Sequence, residues 1–120
     1  MNSFSAILQD LVERVPGATG AIFADWEGEA VGEFAREMAT LDIRIFGAQW
    51  GVVWAELQRS LGRAKLPAAN ELIIGGEIGM VLVREVTEHY YVVLAIAPDA
   101  HLAKAMTELQ AGADALRAEM

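Results

Sequence analysis

The sequence contains no cysteine. Disulfide bonds, thiolate catalysis and cysteine metal sites are therefore excluded outright. Positive charge is scarce. Nine Lys plus Arg stand against seventeen Asp plus Glu, which leaves a net charge of −8. So acidic a chain is repelled by phosphate backbones and anionic lipid, and nucleic-acid binding is not expected. Long apolar runs are missing too. None approaches the roughly 18 to 20 residues that a membrane-spanning helix needs, so no membrane insertion is expected. A secretory leader is not expected either. The opening stretch MNSFSAILQDLVERV lacks a basic start, and Asp10, Glu13 and Arg14 interrupt its apolar residues. A cytoplasmic protein is the expectation. No low-complexity tract, charge block or internal repeat divides the chain.

What the chain has in excess is apolar side chains, at 54% of 120 residues. That is above the usual share in soluble proteins. The length suits a single domain, 1–120, with a core that needs no staples. The excess points to a protein partner, and a second copy of the chain is the simplest one.

Phe4, Ile7, Leu8, Leu11, Val12 and Val15 recur at the spacing of a one-faced helix. Asn2 or Ser3 can cap its start, and Pro16-Gly17 stops it. Ala18 to Asp25 and Glu29 to Phe34 read as two strands, joined by Asp25-Trp26-Glu27-Gly28, a hairpin turn. Ala21, Phe23, Val31 and Phe34 are their candidate buried residues. Arg36 to Thr40 is a linker, with Thr40 a candidate cap. A long helix follows from about Leu41 to Ala64, with two apolar stripes. Phe46, Trp50, Val53, Leu57 and Leu61 form one, expected to cover the sheet. Leu41, Ile45, Ala48, Val52 and Ala55 form the other, which needs a surface that a monomer does not offer. Gly47, Ala48, Gly51 and Ala55 are small enough to let another helix approach. Three further strands are expected at Glu71 to Gly76, Met80 to Val86 and Tyr90 to Ala97, at hairpin distances. Asp99 is the natural cap of a last helix, whose apolar face is Leu102, Ala105, Met106, Leu109 and Leu116. The order is α-β-β-α-β-β-β-α, an α/β chain of the α+β kind. Its sheet is antiparallel, with helices on both faces.

Candidate chemistry is sparse. Gly17-Ala18-Thr19-Gly20 lacks the lysine and hydroxyl of a phosphate loop and runs helix to strand, so it reads as a tight connection. Asp25, Glu27 and Glu29 are too few for a calcium loop and read as solvated carboxylates at a hairpin tip. His89 and His101, the only histidines, have no clustered partner ligands and read as surface or capping residues. No catalytic residue, metal or cofactor is expected. Trp50 is expected in the core, Trp54 nearer the second row and Trp26 at an exposed turn. Met38, Met80 and Met106 are expected to be core fillers. The run Leu72-Ile73-Ile74 lacks the alternation of a half-exposed edge, and pairing with its own copy would cover it.

Several pieces taken together resemble the Roadblock family of dynein-light-chain-like domains. They are Val15-Pro16-Gly17-Ala18 closing the first helix, Gly20-Ala21 leading to Asp25-x-Glu27-Gly28-Glu29, Gly47-Ala48 in the long helix, and Tyr91-Val92-Val93-Leu94-Ala95 before the last. The resemblance spans nearly the whole chain. It implies a profilin-like, five-stranded antiparallel sheet in the order 2-1-5-4-3, with the second helix on one face and the first and last on the other. It also implies a homodimer formed through the third strands and second helices, and a Ras-like small GTPase as partner. Members of the bacterial gliding-polarity type accelerate GTP hydrolysis without inserting a catalytic arginine. On this reading the chain is a non-catalytic scaffold or regulator. Ile45, Ala48, Val52, Ala55, Leu72 and Ile74 are its expected dimer interface, and Gln49, Glu56 and Arg59 its expected partner-binding residues. Two alternatives stand beside it. One is a PAS- or profilin-like small-molecule sensor, marked by a pocket with convergent polar groups. The other is a purely structural dimerisation module in a larger complex.

Overall fold

The computed structural model describes residues 2–36 and 39–120, and only the backbone of Leu41. Met38 and the side chain of Leu41, expected in the core and in the second stripe, lie outside the described residues. The first helix, α1 (Ser3–Arg14), starts where Asn2 Oδ1 accepts the Ser5 N–H at 2.7 Å. That bond satisfies one of the free donors of the first turn. Leu8, Leu11 and Val12 are buried along one face. Strand β1 (Ala18–Asp25) leads into β2 (Ala30–Ala35), the latter one residue later than expected. Asp25 Oδ1 accepts the N–H groups of Glu27 and Glu29, each at 3.0 Å, and Gly28 takes φ +86°. Asp25 thus builds the turn with its own carboxylate, and glycine supplies the left-handed backbone.

The long helix α2 (Thr40–Arg63) is followed by β3 (Glu71–Gly75), β4 (Met80–Thr87), β5 (Tyr90–Ile96) and α3 (Leu102–Ala118). Two expected caps are displaced. Thr40 is already inside α2, and Ala39 precedes it without a side-chain bond. Asp99 does not cap α3. His101 does, its Nδ1 accepting the Lys104 N–H at 3.1 Å. The cause lies in residues 97–100. The Ala100 N–H bonds back to the Ala97 carbonyl at 3.1 Å, and this turn delays the helix.

The sheet is five-stranded and antiparallel in the order β2-β1-β5-β4-β3. Long β1 and β5 occupy the middle and read as almost unbroken burial. On one face, α1 and α3 cover Ala21, Phe23, Leu82, Val86, Val92, Leu94 and Ile96. Val31, Phe34, Met80 and Met106 pack partly buried against this core. On the other face, α2 lies over β2, β1 and β5, and buries Ile22, Ala24, Val83, Tyr91 and Val93. A strand alternates its faces, so each strand serves both cores. No described helix is long and apolar enough to cross a membrane.

Candidate functional site

The helix α2 is seated on the sheet by its smallest residues. Ile43, Gly47, Gly51 and Trp54 are its buried positions. They share one face at about 100° per residue. A Cβ at Gly47 would come within 2.6 Å of Ile22 Cγ2, and one at Gly51 would overlap the Tyr91 hydroxyl. That hydroxyl donates to the Gly47 carbonyl at 3.2 Å. The small residues therefore let α2 approach its own sheet, where the sequence suggested room for a second helix. Gly28 serves a similar end at the hairpin tip, where its Cβ position lies 3.4 Å from Ala48 Cβ.

This seating turns the two expected stripes. Trp54 is buried, whereas Trp50 is only partly so and Val53 is 42% exposed. Phe46, Trp50 and Leu57 pack at the margin of the core rather than in it. Phe46 and Trp50 lie side by side, with ring centroids 6.3 Å apart. Ile45 and Val52 stand on the outward crest, 49% and 68% exposed. Gln49, Glu56 and Arg59 share that crest and are exposed. Glu56 pairs with Arg59 at 2.8 Å and with Arg63 at 3.2 Å. Hydrogen bonds from Arg59 first, then Arg63, hold its carboxyl below the usual range.

Because α2 stops over β5, the α2-side face of β4 and β3 is only partly roofed. Leu72 pairs with Val83 and Ile74 with Val81, so all four point to that side. Val83 is buried, Leu72 and Val81 are partly covered, and Ile74 is 41% exposed. Strand β3 is also the sheet's edge. The structure thus brings Leu72 and Ile74 together at an open edge. It sets Ile45 and Val52 on the crest of α2. Ala48 and Ala55 lie on the opposite flank, toward the hairpin tips. The row Phe46, Trp50, Val53, Leu57 and Leu61 is the one whose spacing predicts the cover of the sheet, with Trp50 in the core. The signal that places it differently is the glycine pair, since only bare α-carbons allow a helix to sit so low.

The other candidates fall out simply. Among the described residues, no three potential metal ligands come together. Gly17 to Gly20 is a tight connection, with the Ala18 N–H on the Val15 carbonyl at 3.0 Å. His89 is an exposed turn residue 3.2 Å from Glu88. Trp26 is exposed at its turn, and its N–H donates to the His89 carbonyl at 2.9 Å.

No protein-family model and no curated protein sequence matches the chain. Solved structures do. A Roadblock/LC7 domain from Streptomyces avermitilis superposes with a TM-score of 0.88 at 13% identity, over 96% of this chain and 95% of that one. The gliding protein MglB from Thermus thermophilus does so with a TM-score of 0.83 at 19% identity, over 98% and 90%. MglC from Myxococcus xanthus reaches a TM-score of 0.71 at 24% identity, over 99% and 100%. At such identities the shared property is architecture: the chain has the Roadblock/LC7 fold.

Proposed function

We propose that the chain is a non-catalytic, homodimeric scaffold that regulates a Ras-like small GTPase. The observation that carries this reading is the apolar surface left open by α2 and β3. Phe46, Trp50, Val53 and Leu57 on the helix flank adjoin Leu72, Ile74 and Val81 on the sheet. An edge strand beside an apolar face invites a partner that covers both at once. A second copy does so by symmetry, with β3 beside β3 and α2 beside α2. In this proposal Ile45, Val52, Leu72 and Ile74 remain interface residues, joined by Phe46, Trp50, Val53 and Leu57. Ala48 and Ala55, turned to the hairpin tips, leave it. Two crests brought together present Gln49, Glu56 and Arg59 from each copy as one polar platform for the GTPase. The likeness to gliding proteins supports this partner class, which the Roadblock resemblance implies.

Two measurements test the proposal. Sedimentation equilibrium should show a dimer. The purified chain, mixed with the Ras-like GTPases of its own genome, should bind one of them in a nucleotide-dependent manner and hydrolyse no GTP alone. A monomer at every concentration removes the homodimer. Absence of binding in both the GDP and the GTP-analogue states removes the GTPase and leaves the structural dimerisation module.

A further inference from the structure

The two hairpin tips and the inner flank of α2 line a half-open cavity of about 330 Å³, which is within the range of small-molecule sites. Its walls are tied together. The backbone bond from Trp26 to His89 joins one tip to the other. Gln58 spends both ends of its amide on Ala69. Nε2 donates to the carbonyl at 2.7 Å, and Oε1 accepts the N–H at 2.9 Å. The segment ahead of β3 is thereby pinned to the helix.

Trp26, Trp54 and Tyr91 give the lining its aromatic surface, while Glu85 and Glu88 give it negative charge. No Lys or Arg lines it. Glu85 is the cross-strand neighbour of Tyr91 and half-buried. Among the described residues its carboxylate joins none of the ion pairs. Each ligand class meets these walls differently. An anion is repelled by both carboxylates. A neutral apolar molecule would strip water from Glu85 and return nothing. A bare metal ion gains nothing from the aromatic walls and finds too few oxygens. An organic cation with an apolar body satisfies both features, since its ammonium can meet the carboxylate while its apolar body rests on the aromatic wall.

We infer that this cavity binds a small organic ammonium compound, its cation at Glu85 and its apolar body against Trp26 and Trp54. The site lies within one chain and does not depend on the dimer. It is a sensing capacity beside the scaffold role.

The probe is 2-phenylethylammonium, with 2-phenylethanol as its uncharged counterpart. Both are titrated into the full chain by calorimetry and by NMR of the indole N–H groups. The ammonium should bind saturably, about tenfold more tightly than the alcohol, and shift the signals of Trp26 and Trp54 but not Trp50. Glu85→Gln should lose about tenfold in affinity while melting like the parent. Should Glu85→Gln misfold, Trp26→Ala, altered at an exposed turn, should show a comparable loss. Equal binding of ammonium and alcohol, or no saturable binding of the ammonium, overturns the inference. So does tighter binding of a blocked lysine amide, which would make the occupant a partner's side chain.

Discussion

Tyr91 places its hydroxyl beneath the long helix, against the Gly47 carbonyl. Burial first, and then the charge of Asp25, push its pKa up to about 12. In the unfolded chain a tyrosine ionises near about 10. Between these values the folded chain keeps a proton that the unfolded chain has lost. This contribution to stability is full below pH ~10 and falls as pH rises toward ~12, by up to about 2 kcal/mol. Tyr91→Phe should abolish that fall and, at neutral pH, cost about 1 kcal/mol through the lost hydrogen bond. Urea unfolding across a pH series checks both. An unchanged alkaline slope in the variant would assign the fall to other groups. The helix glycines make a second residue-scale case. Propensity alone favours alanine over glycine by about 1 kcal/mol. At Gly47 and Gly51 the overlap with Ile22 and Tyr91 outweighs that gain, and alanine should destabilise by about 1–3 kcal/mol. Gly62 lies in the same helix with nothing within 4 Å of its Cβ position. There the gain stands alone, and Gly62→Ala should stabilise by up to about 1 kcal/mol. Thermal melts of the three variants decide the matter, and equal signs at Gly47 and Gly62 would contradict this packing.

At the scale of elements, α2 presents four surfaces: a glycine-lined underside, an apolar flank toward β3, a mixed crest and a flank of Ala48 and Ala55 toward the hairpin tips. Val53→Asp and Ile74→Asp should break the dimer while leaving the monomer folded, since an unpaired charge in a desolvated interface costs on the order of several kcal/mol. Ala48→Asp should act on the monomer instead, because Ala48 meets Gly28 of its own hairpin. Sedimentation and circular dichroism together separate the outcomes. Dissociation by Ala48→Asp with unchanged melting would move the interface to the other flank. The strands and helices themselves were legible in the sequence, because alternation, turn residues and helical spacing are local signals. Asp25 and Gly28 announced the first hairpin, and Asn2 the first helix. The orientation of α2 was not legible. Apolar periodicity assigns the largest side chains to the core, whereas here Trp50 and Val53 give way to Gly47 and Gly51. That preference depends on Ile22 and Tyr91, which are remote in sequence. The cap of α3 is displaced for a related reason, since the turn over 97–100 holds Asp99 outside the helix.

The molecule as a whole joins an apolar opening on one face to a net charge of −8. In the proposed dimer two copies approach against their mutual repulsion, and salt screens such repulsion over a distance of about 10 Å at 0.1 M. Raising ionic strength should therefore tighten self-association, in contrast to an interface built on charge pairs. Dimer dissociation constants measured by sedimentation at rising salt provide the check, and weakening would point to ionic contacts. The same charge helps keep a partly apolar surface in solution before its partner arrives.

The low seat of the long helix also bears on descent. A lineage that keeps Ile22 and Tyr91 beneath the helix is held to the smallest residues at 47 and 51, whereas Gln49, Glu56 and Arg59 face outward and are free of that constraint. Substitutions at these three polar positions can therefore redirect what docks there, generation by generation, without unseating the helix beneath them.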